Sequence, residues 1–290
     1  MSTTSLINLL PAAARMAPKT PQEVASALAD ARQTGRKVVV FSTGHGIPPI
    51  GDTSERILLD MSAFDGVEVD PVTRVARIGG ATRWSDLLAA ANLHGLTAPC
   101  GSASSVGVTG YMMGGGIGFM SRHLGLGSSA IRAAELVTLD GHIRRIDAHS
   151  DPDLFWALRG GGGGFGVVTS LELNLTPMPR MAGGVLGWGI EDADRVLKAW
   201  SAWTTNLPED VTSAVRLVQV PEGPALTVVV VTAPREEDDL QAVLAPLTDL
   251  QPVLNTVRDT DPEAFMKEYS SPEIDPEEAS HAYEHVLLDQ

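Results

Sequence analysis

Near the start of the chain, hydrophobic and polar residues follow a helical period and then give way to short apolar runs. Apolar residues recur at spacings of three and four from Pro21 up to Gly35, which predicts an amphipathic helix with Thr20 as its N-cap. The runs Lys37–Phe41 and Arg56–Asp60 are short and continuous, so they predict buried strands. The order helix, strand, loop, strand indicates a small α/β unit. The apolar stripe of the helix consists of Val24, Ala27, Leu28 and Ala31.

The pattern then changes to paired strands. The turn residues Asp70 and Pro71 separate two apolar runs. The dipeptide Asp140-Gly141 separates two more runs and is the strongest short hairpin signal in the chain. These signals predict a second unit that is richer in antiparallel strands. Its predicted elements are strands at 67–70 and 75–78, a helix at 84–94, hairpin strands at 135–139 and 142–146, a helix at 153–158, and a strand at 167–175.

A third unit is predicted after Pro177, where the glycine-rich stretches stop. The remaining pattern has the order strand, helix, strand, strand, helix, strand, which is typical of an antiparallel sheet with its helices on one face. The stretch 259–290 is acidic and partly helical in pattern. The predicted elements are strands at 184–190, 214–220, 225–232 and 253–257 and helices at 193–203 and 236–247.

Composition excludes some classes of function. The formal net charge of -15 lacks the basic footprint of a nucleic-acid-binding protein, so we expect no nucleic-acid partner. The chain has a single cysteine, Cys100, which rules out an intramolecular disulfide and is compatible with the cytoplasm. No uncharged apolar run is long enough to span a bilayer. We interpret residues 1–21 as a tail or a short helix, because early positive charge is lacking.

Three glycine-rich segments carry the candidate chemistry. They are the first glycine segment (41–46), the second (101–118) and the third (159–166). Glycine lets backbone amides approach a ligand closely, and three such segments favour a large anionic cofactor over plain turns. None of them has the dinucleotide fingerprint in a strand–turn–helix setting, and a Walker sequence is missing. His45 stands between two glycines, and on the residues alone it is either a turn histidine or a reactive group.

The glycine segments resemble the signatures of the vanillyl-alcohol oxidase superfamily of FAD-binding oxidoreductases, in its berberine-bridge-enzyme-like branch. The first match is Ser42-Thr43-Gly44-His45-Gly46, which follows a strand in the family too. The second comprises Gly101-Ser102-Ala103-Ser104-Ser105-Val106-Gly107 and Gly110-Tyr111-Met112-Met113-Gly114-Gly115-Gly116-Ile117-Gly118. The third is Asp153–Thr169, in which Gly164 replaces the asparagine of the family. The resemblance is strong from Met16 to about Thr176.

The resemblance implies FAD as cofactor, with its pyrophosphate held mainly by backbone amides. It also implies that a ring nitrogen of His45 is bonded covalently to the flavin 8α-methyl group, since neutral imidazole can act as a nucleophile. The residues implied to bind FAD are Ser42, Thr43, Gly44, His45 and Gly46 in the first segment; Gly101, Ser102, Ser105, Val106, Gly107, Gly110, Tyr111, Gly114, Gly115, Gly116 and Gly118 in the second; and Gly164, Gly166, Val167 and Val168 in or after the third.

The chain departs from the family pattern in three respects. Many relatives carry a second covalent link through a cysteine where this chain has Ala103, so we expect no cysteinyl-flavin, and we interpret Cys100 as a small buried thiol. Tyr111 stands where relatives often have a histidine near the flavin ring, and it either touches the ring system or packs. Family members are also considerably longer, and their tyrosine- and asparagine-rich C-terminal motif has no counterpart in this sequence.

The resemblance implies an α+β fold with an FAD-binding domain of the PCMH type at 1–177, in subdomains of about 16–66 and 67–177. A partial antiparallel-sheet substrate domain is implied at 178–290. The expected function is transfer of a hydride from a small organic substrate (an alcohol, sugar or secondary metabolite) to flavin N5, with O2 as a possible electron acceptor. No catalytic base and no metal ligand is identified. The alternatives are a truncated or degenerate FAD-binding relative without turnover and, less favoured because of His45, a nicotinamide-dependent reductase.

Overall fold

The first unit is a three-stranded parallel sheet covered by one long helix. The computed structural model describes residues 10–45, 52–178, 180–219 and 225–269. Strands β1 (Ala14–Met16), β2 (Val38–Phe41) and β3 (Ile57–Asp60) lie in the order β1-β3-β2, and helix α1 spans Pro21–Thr34. The interpretation of residues 1–21 as a tail or short helix is wrong for Ala14–Met16, because this segment pairs in parallel with β3.

Helix α1 begins and ends as its sequence predicts. The hydroxyl of Thr20 accepts a hydrogen bond from the Glu23 amide at 3.2 Å, and the Glu23 carboxylate accepts one from the Lys19 amide at 2.6 Å. These bonds satisfy amides that have no partner within the first turn. Gly35 ends the helix in the left-handed conformation, at a φ of 64°. The predicted apolar stripe is buried throughout: Val24, Ala27, Leu28 and Ala31.

The second unit is a five-stranded antiparallel sheet with its strands in the order β4-β5-β9-β7-β8. The predicted hairpins are present, and the predicted helix after residue 84 buries one face that includes Trp84 and Leu87. A short helix within the second glycine segment was not predicted. The elements are β4 (Val67–Asp70), β5 (Val75–Gly79), α2 (Trp84–Asn92), β6 (Leu96–Thr97), α3 (Val108–Met113), α4 (Ser121–Leu124), β7 (Ile131–Val137), β8 (Ile143–Asp147), α5 (Pro152–Gly161), β9 (Val167–Asn174) and β10 (Thr176–Pro177).

The third unit is an antiparallel sheet in the order β12-β13-β11-β14, with β15 also paired to β11. The predicted strand 253–257 is wrong as one element, because two short strands replace it. Between them the Asn255 side chain accepts a hydrogen bond from the Val257 amide at 3.0 Å, which takes that amide out of the strand ladder. The elements are β11 (Met181–Gly189), α6 (Ala193–Thr204), β12 (Thr212–Gln219), β13 (Ala225–Ala233), α7 (Glu237–Thr248), β14 (Leu254–Asn255), β15 (Arg258–Thr260) and α8 (Pro262–Tyr269).

The third unit packs against the second through an aromatic contact made by helix α8. The Phe119 and Phe265 rings meet edge to face with centroids 4.9 Å apart, and the Thr232 hydroxyl donates to the Phe119 carbonyl. The Arg122 guanidinium donates to the Leu207 carbonyl at 3.0 Å. Phe119 and Arg122 directly follow the second glycine segment, so these contacts place the third sheet beside that segment. The three units together give the α+β architecture that the sequence predicts.

Candidate functional site

The first and second glycine segments meet through a threonine side chain. The Gly107 amide donates a hydrogen bond to the Thr43 hydroxyl at 3.0 Å, across 64 residues of sequence. A Cβ atom added at Gly107 would lie 3.1 Å from the Ser42 hydroxyl oxygen and 3.2 Å from that of Thr43. Glycine at this position therefore lets the Ser42 and Thr43 side chains pack closely against the backbone of the second segment. Gly46 lies outside the described residues.

His45 bridges the same two segments and is solvent-exposed. Its Nε2 atom lies 3.3 Å from the Ser105 hydroxyl oxygen, and its Nδ1 atom lies 3.4 Å from the Thr43 hydroxyl oxygen. Both ring nitrogens therefore face hydroxyl groups, which can donate or accept a hydrogen bond. This arrangement fixes the imidazole at the edge between the first and second segments.

A cleft of about 580 Å³ opens beside helix α3. An added Cβ would meet no atom within 4 Å at Gly110 or at Gly115, so the backbone is open to a ligand at both positions. We call this space the glycine cleft. Ile117 and Leu126 are 76% and 45% exposed at its wall, and sequence reasoning did not select either of them. The cleft is lined by Gly110, Tyr111, Gly114, Gly115, Gly116, Ile117 and Leu126.

The third glycine segment approaches the second at the end of helix α3. The Gly162 amide donates to the Met113 carbonyl at 3.0 Å. Gly164 is exposed and has a φ of 104°, so its conformation is one that favours glycine. Val167 and Val168 are buried in strand β9, with exposures of 3% and 7%. These two predicted cofactor contacts therefore lie in the sheet core, behind the exposed glycines.

Tyr111 and Cys100 lie beneath the glycine cleft. Cys100 is 2% exposed, and burial raises the pKa of its thiol to about 12. The interpretation of Cys100 as a small buried thiol is therefore confirmed. Tyr111 is partly buried and forms part of the cleft wall, and burial raises the pKa of its hydroxyl. The described residues contain no group of three His, Cys, Asp or Glu side chains that could hold a metal ion.

Comparison with known proteins agrees with this geometry. Residues 12–147 match the family model described as an FAD binding domain. The chain is 36% identical over 167 residues to (R)-6-hydroxynicotine oxidase of Paenarthrobacter nicotinovorans. The aligned region covers 57% of this chain and 36% of that relative. It superimposes with a TM-score of 0.82 and 28% identity on 6-hydroxy-D-nicotine oxidase of Arthrobacter nicotinovorans, covering 91% of this chain and 60% of that one.

Residues 12–147 are an FAD binding domain, and the chain is similar in sequence and fold to FAD-linked oxidoreductases. Its fold also matches a berberine-bridge-enzyme-like protein of Physcomitrella patens, with a TM-score of 0.76 and 24% identity over 88% of this chain. The predicted fold class and cofactor are therefore confirmed, and these matches agree with the predicted resemblance to FAD-binding oxidoreductases. The chain spans 36% of the length of the hydroxynicotine oxidase that it matches, so activity and substrate are matters for proposal.

The residues of the three glycine segments fit FAD. A long anionic cofactor needs backbone that it can approach closely, and the open positions Gly110, Gly115 and Gly164 meet that need, although the Gly115 amide itself donates to the Met112 carbonyl at 3.2 Å. The hydrogen bond between Gly107 and Thr43 holds the first segment against the second beside this cleft. None of the helices in the described ranges has the length and apolarity needed to cross a bilayer.

Sequence reasoning missed helix α3 and the side chains that line its cleft. Helix α3 spans only six residues and includes Gly110, so the local pattern favoured a loop. Ile117 and Leu126 gave no signal because single apolar residues on a surface are common. The bridge between His45 and Ser105 joins residues 60 positions apart, and only the resemblance placed both at one cofactor.

Proposed function

We propose that this protein is an FAD-dependent oxidoreductase that takes a hydride from a small organic substrate. The observation that carries the proposal is the junction of the first two segments, where Thr43 bonds Gly107 and His45 contacts Ser105 beside the glycine cleft. Bound FAD supplies the two-electron acceptor at flavin N5, and O2 is the proposed final acceptor. We also propose an FAD-binding domain at 1–177, a partial substrate domain at 178–290, and a cytoplasmic location.

His45 is the proposed covalent anchor of the flavin. Because the Thr43 hydroxyl oxygen accepts from the Gly107 amide, its own hydrogen is available to Nδ1 of His45. The neutral ring then carries its proton on Nε2, where the Ser105 hydroxyl oxygen can accept it. This pair of contacts orients the imidazole, and in this tautomer Nδ1 carries the lone pair that a nucleophilic nitrogen requires.

The third sheet provides the proposed substrate side. Strand β13 alternates its side chains, so Val228, Val230 and Thr232 share one face, and Thr232 contacts Phe119 of the second unit. On the register, Arg216 of strand β12 pairs with Val228 and lies on this same face. The face therefore lies towards the unit that carries the glycine segments. Alcohols, sugars and secondary metabolites are the proposed substrate classes.

Intact-mass measurement of the purified protein tests the cofactor and its linkage together. We expect a mass increase equal to one FAD, which maps to the peptide that contains His45 and is lost in His45→Ala. His142→Ala is the matched control, because its exposed ring contacts Asp140 in the β7–β8 turn. A protein that stays colourless after incubation with FAD would contradict the proposed function. A yellow protein of unmodified mass would contradict only the covalent bond.

A second candidate is an FAD-binding protein without turnover. The observation that favours it is the lining of the glycine cleft, whose described residues include no carboxylate, imidazole or amine that could take a proton from a substrate. Anaerobic mixing of the FAD-loaded protein with a panel of alcohols, sugars and hydroxylated heterocycles separates the two candidates. Bleaching of the flavin absorbance by a substrate supports the oxidoreductase. Bleaching by dithionite alone supports the second candidate.

A further inference from the structure

The Tyr111 ring is enclosed by glycines from both ends of the second glycine segment and from the residues that follow it. A Cβ added at Gly101 would lie 2.9 Å from Cε2 of this ring, and one added at Gly116 would lie 2.5 Å from Cε1. At Gly118 the added atom would lie 2.8 Å from the Tyr111 hydroxyl oxygen but 1.7 Å from the Cys100 carbonyl oxygen, and at Gly127 it would lie 3.1 Å from Cε1 and 2.8 Å from the Met112 sulfur. Gly101 and Gly116 therefore leave room for the Tyr111 ring, whereas Gly118 and Gly127 also make room for other neighbours.

On the core side the same ring packs against Trp84. The two rings meet edge to face with centroids 5.3 Å apart and an interplanar angle of 89°. Trp84 is fully buried, so the Tyr111 ring rests on the rigid core beneath the glycine cleft. The Tyr111 hydroxyl is buried and has no hydrogen-bond partner among the described residues. Apolar packing of the ring thus accounts for its position, and hydrogen bonding by the hydroxyl does not.

The glycines of the second segment fall into two sets. Gly110 and Gly115 have open space where a Cβ would stand, and both line the glycine cleft. Gly101 and Gly116 are buried, and their missing side chains face the Tyr111 ring. The first set is available to a ligand, whereas the second set shapes the loop around the ring. Part of the glycine signature therefore accommodates a tyrosine rather than a phosphate.

We propose that Tyr111 is a positioning residue for the cofactor, whose ring holds the second glycine segment in the shape that binds FAD. Its hydroxyl makes no required contact with the cofactor. This inference rests on the proposed function, since FAD is the ligand whose affinity it concerns. Loss of the ring should let the segment that contains Gly116 and Gly118 collapse into the vacated space. FAD affinity should then fall although Tyr111 donates no hydrogen bond to the cofactor.

Reversible FAD binding by His45→Ala variants tests the inference, with affinity read from quenching of flavin fluorescence. We expect Tyr111→Leu to raise the Kd at least about tenfold and Tyr111→Phe to stay within about threefold of the parent, because the phenyl ring is kept. Gly101→Ala should also raise the Kd at least about tenfold, since the three atoms nearest to its methyl group all belong to the Tyr111 ring. In the double variant that combines Gly101→Ala with Tyr111→Leu, the smaller leucine should restore part of the FAD affinity lost in Gly101→Ala, because the two residues are in contact and their effects are coupled.

Gly66→Ala is the matched control, because an added Cβ meets nothing within 4 Å there. Melting temperatures of the cofactor-free variants show whether each one is folded. An FAD affinity of Tyr111→Leu equal to that of the His45→Ala parent would overturn the inference. A loss of FAD affinity in Tyr111→Phe equal to that in Tyr111→Leu would also overturn it. Should Tyr111→Leu fail to fold, equal Kd values for Gly101→Ala and Gly66→Ala would overturn it. No FAD binding by either the wild-type protein or the His45→Ala parent would instead refute the proposed function.

Discussion

The Nε2 atom of His45 lies 3.3 Å from the hydroxyl oxygen of Ser105, and this contact joins the first glycine segment to the second. The neighbouring bond from the Gly107 amide to Thr43 joins the same two segments at the backbone. The imidazole is therefore held by both segments at once. A cofactor that lies between them would meet a histidine already oriented towards it.

Ser105→Ala should slow attachment of FAD to His45. Removing the hydroxyl deletes the group that can accept the Nε2 proton, and a hydrogen bond of this kind is worth about 1 kcal/mol, so we expect about a fivefold slower reaction. The measurement is a time course of intact mass after FAD is added to the cofactor-free protein. Ser129→Ala, at an exposed serine, is the control. Equal rates for the two variants would show that Ser105 does not assist attachment.

Local sequence signals predicted the elements that local interactions determine. Helix α1 has its cap at Thr20, its stop at Gly35 and a complete apolar stripe, and all three are found in the structure. Strand β1 was missed because it pairs with a parallel strand more than 40 residues away, at Ile57–Asp60. The single predicted strand at 253–257 failed because the Asn255 side chain competes for a backbone amide.

In the candidate site too, features set by local sequence were predicted and features set by distant contacts were not. The glycine segments were visible in the sequence, and the resemblance assigned them to FAD before their contacts were known. The sequence could not separate glycines that face a ligand, such as Gly110, from glycines that face a ring, such as Gly101, because only the fold brings Tyr111 against them. The substrate side was equally hidden, because it depends on the register of strands β12 and β13.

Cys100 should make the stability of the protein fall in alkaline solution. Burial raises the thiol pKa from 9.0 to about 12, so the unfolded chain releases this proton at lower pH than the folded one. The stabilisation is complete below pH 9 and is lost as the pH rises towards 12. Relative to Cys100→Ala, we expect the free energy of unfolding to fall by about 1 kcal/mol between pH 8.5 and pH 10. Urea titrations at both pH values give this difference, and parallel pH profiles for the two proteins would contradict it.

Thr20→Ala should destabilise helix α1 without changing the glycine cleft. The Thr20 hydroxyl accepts the Glu23 amide at 3.2 Å, and loss of such a cap costs about 1 kcal/mol. Thr20→Ser keeps the acceptor, and because serine is at least as good an N-cap as threonine, it should leave the free energy of unfolding close to that of the parent. Chemical denaturation measures both changes, and FAD affinity should remain that of the parent. Equal stability of the alanine and serine variants would show that the cap contributes nothing.

Phe265→Ala should loosen the third sheet from the rest of the protein. The Phe265 ring is 2% exposed, meets Phe119 edge to face, and lies 4.6 Å from the Tyr269 ring. Removing it leaves a cavity, and such truncations cost about 3–5 kcal/mol. Phe165→Ala is the matched control, because that ring is 38% exposed and should cost less than about 1 kcal/mol. Urea unfolding, monitored by tryptophan fluorescence, should show a much lower midpoint for Phe265→Ala. If the third sheet separates first, the unfolding transition should split in two. Equal midpoints for the two phenylalanine variants would mean that this aromatic contact does not hold the units together.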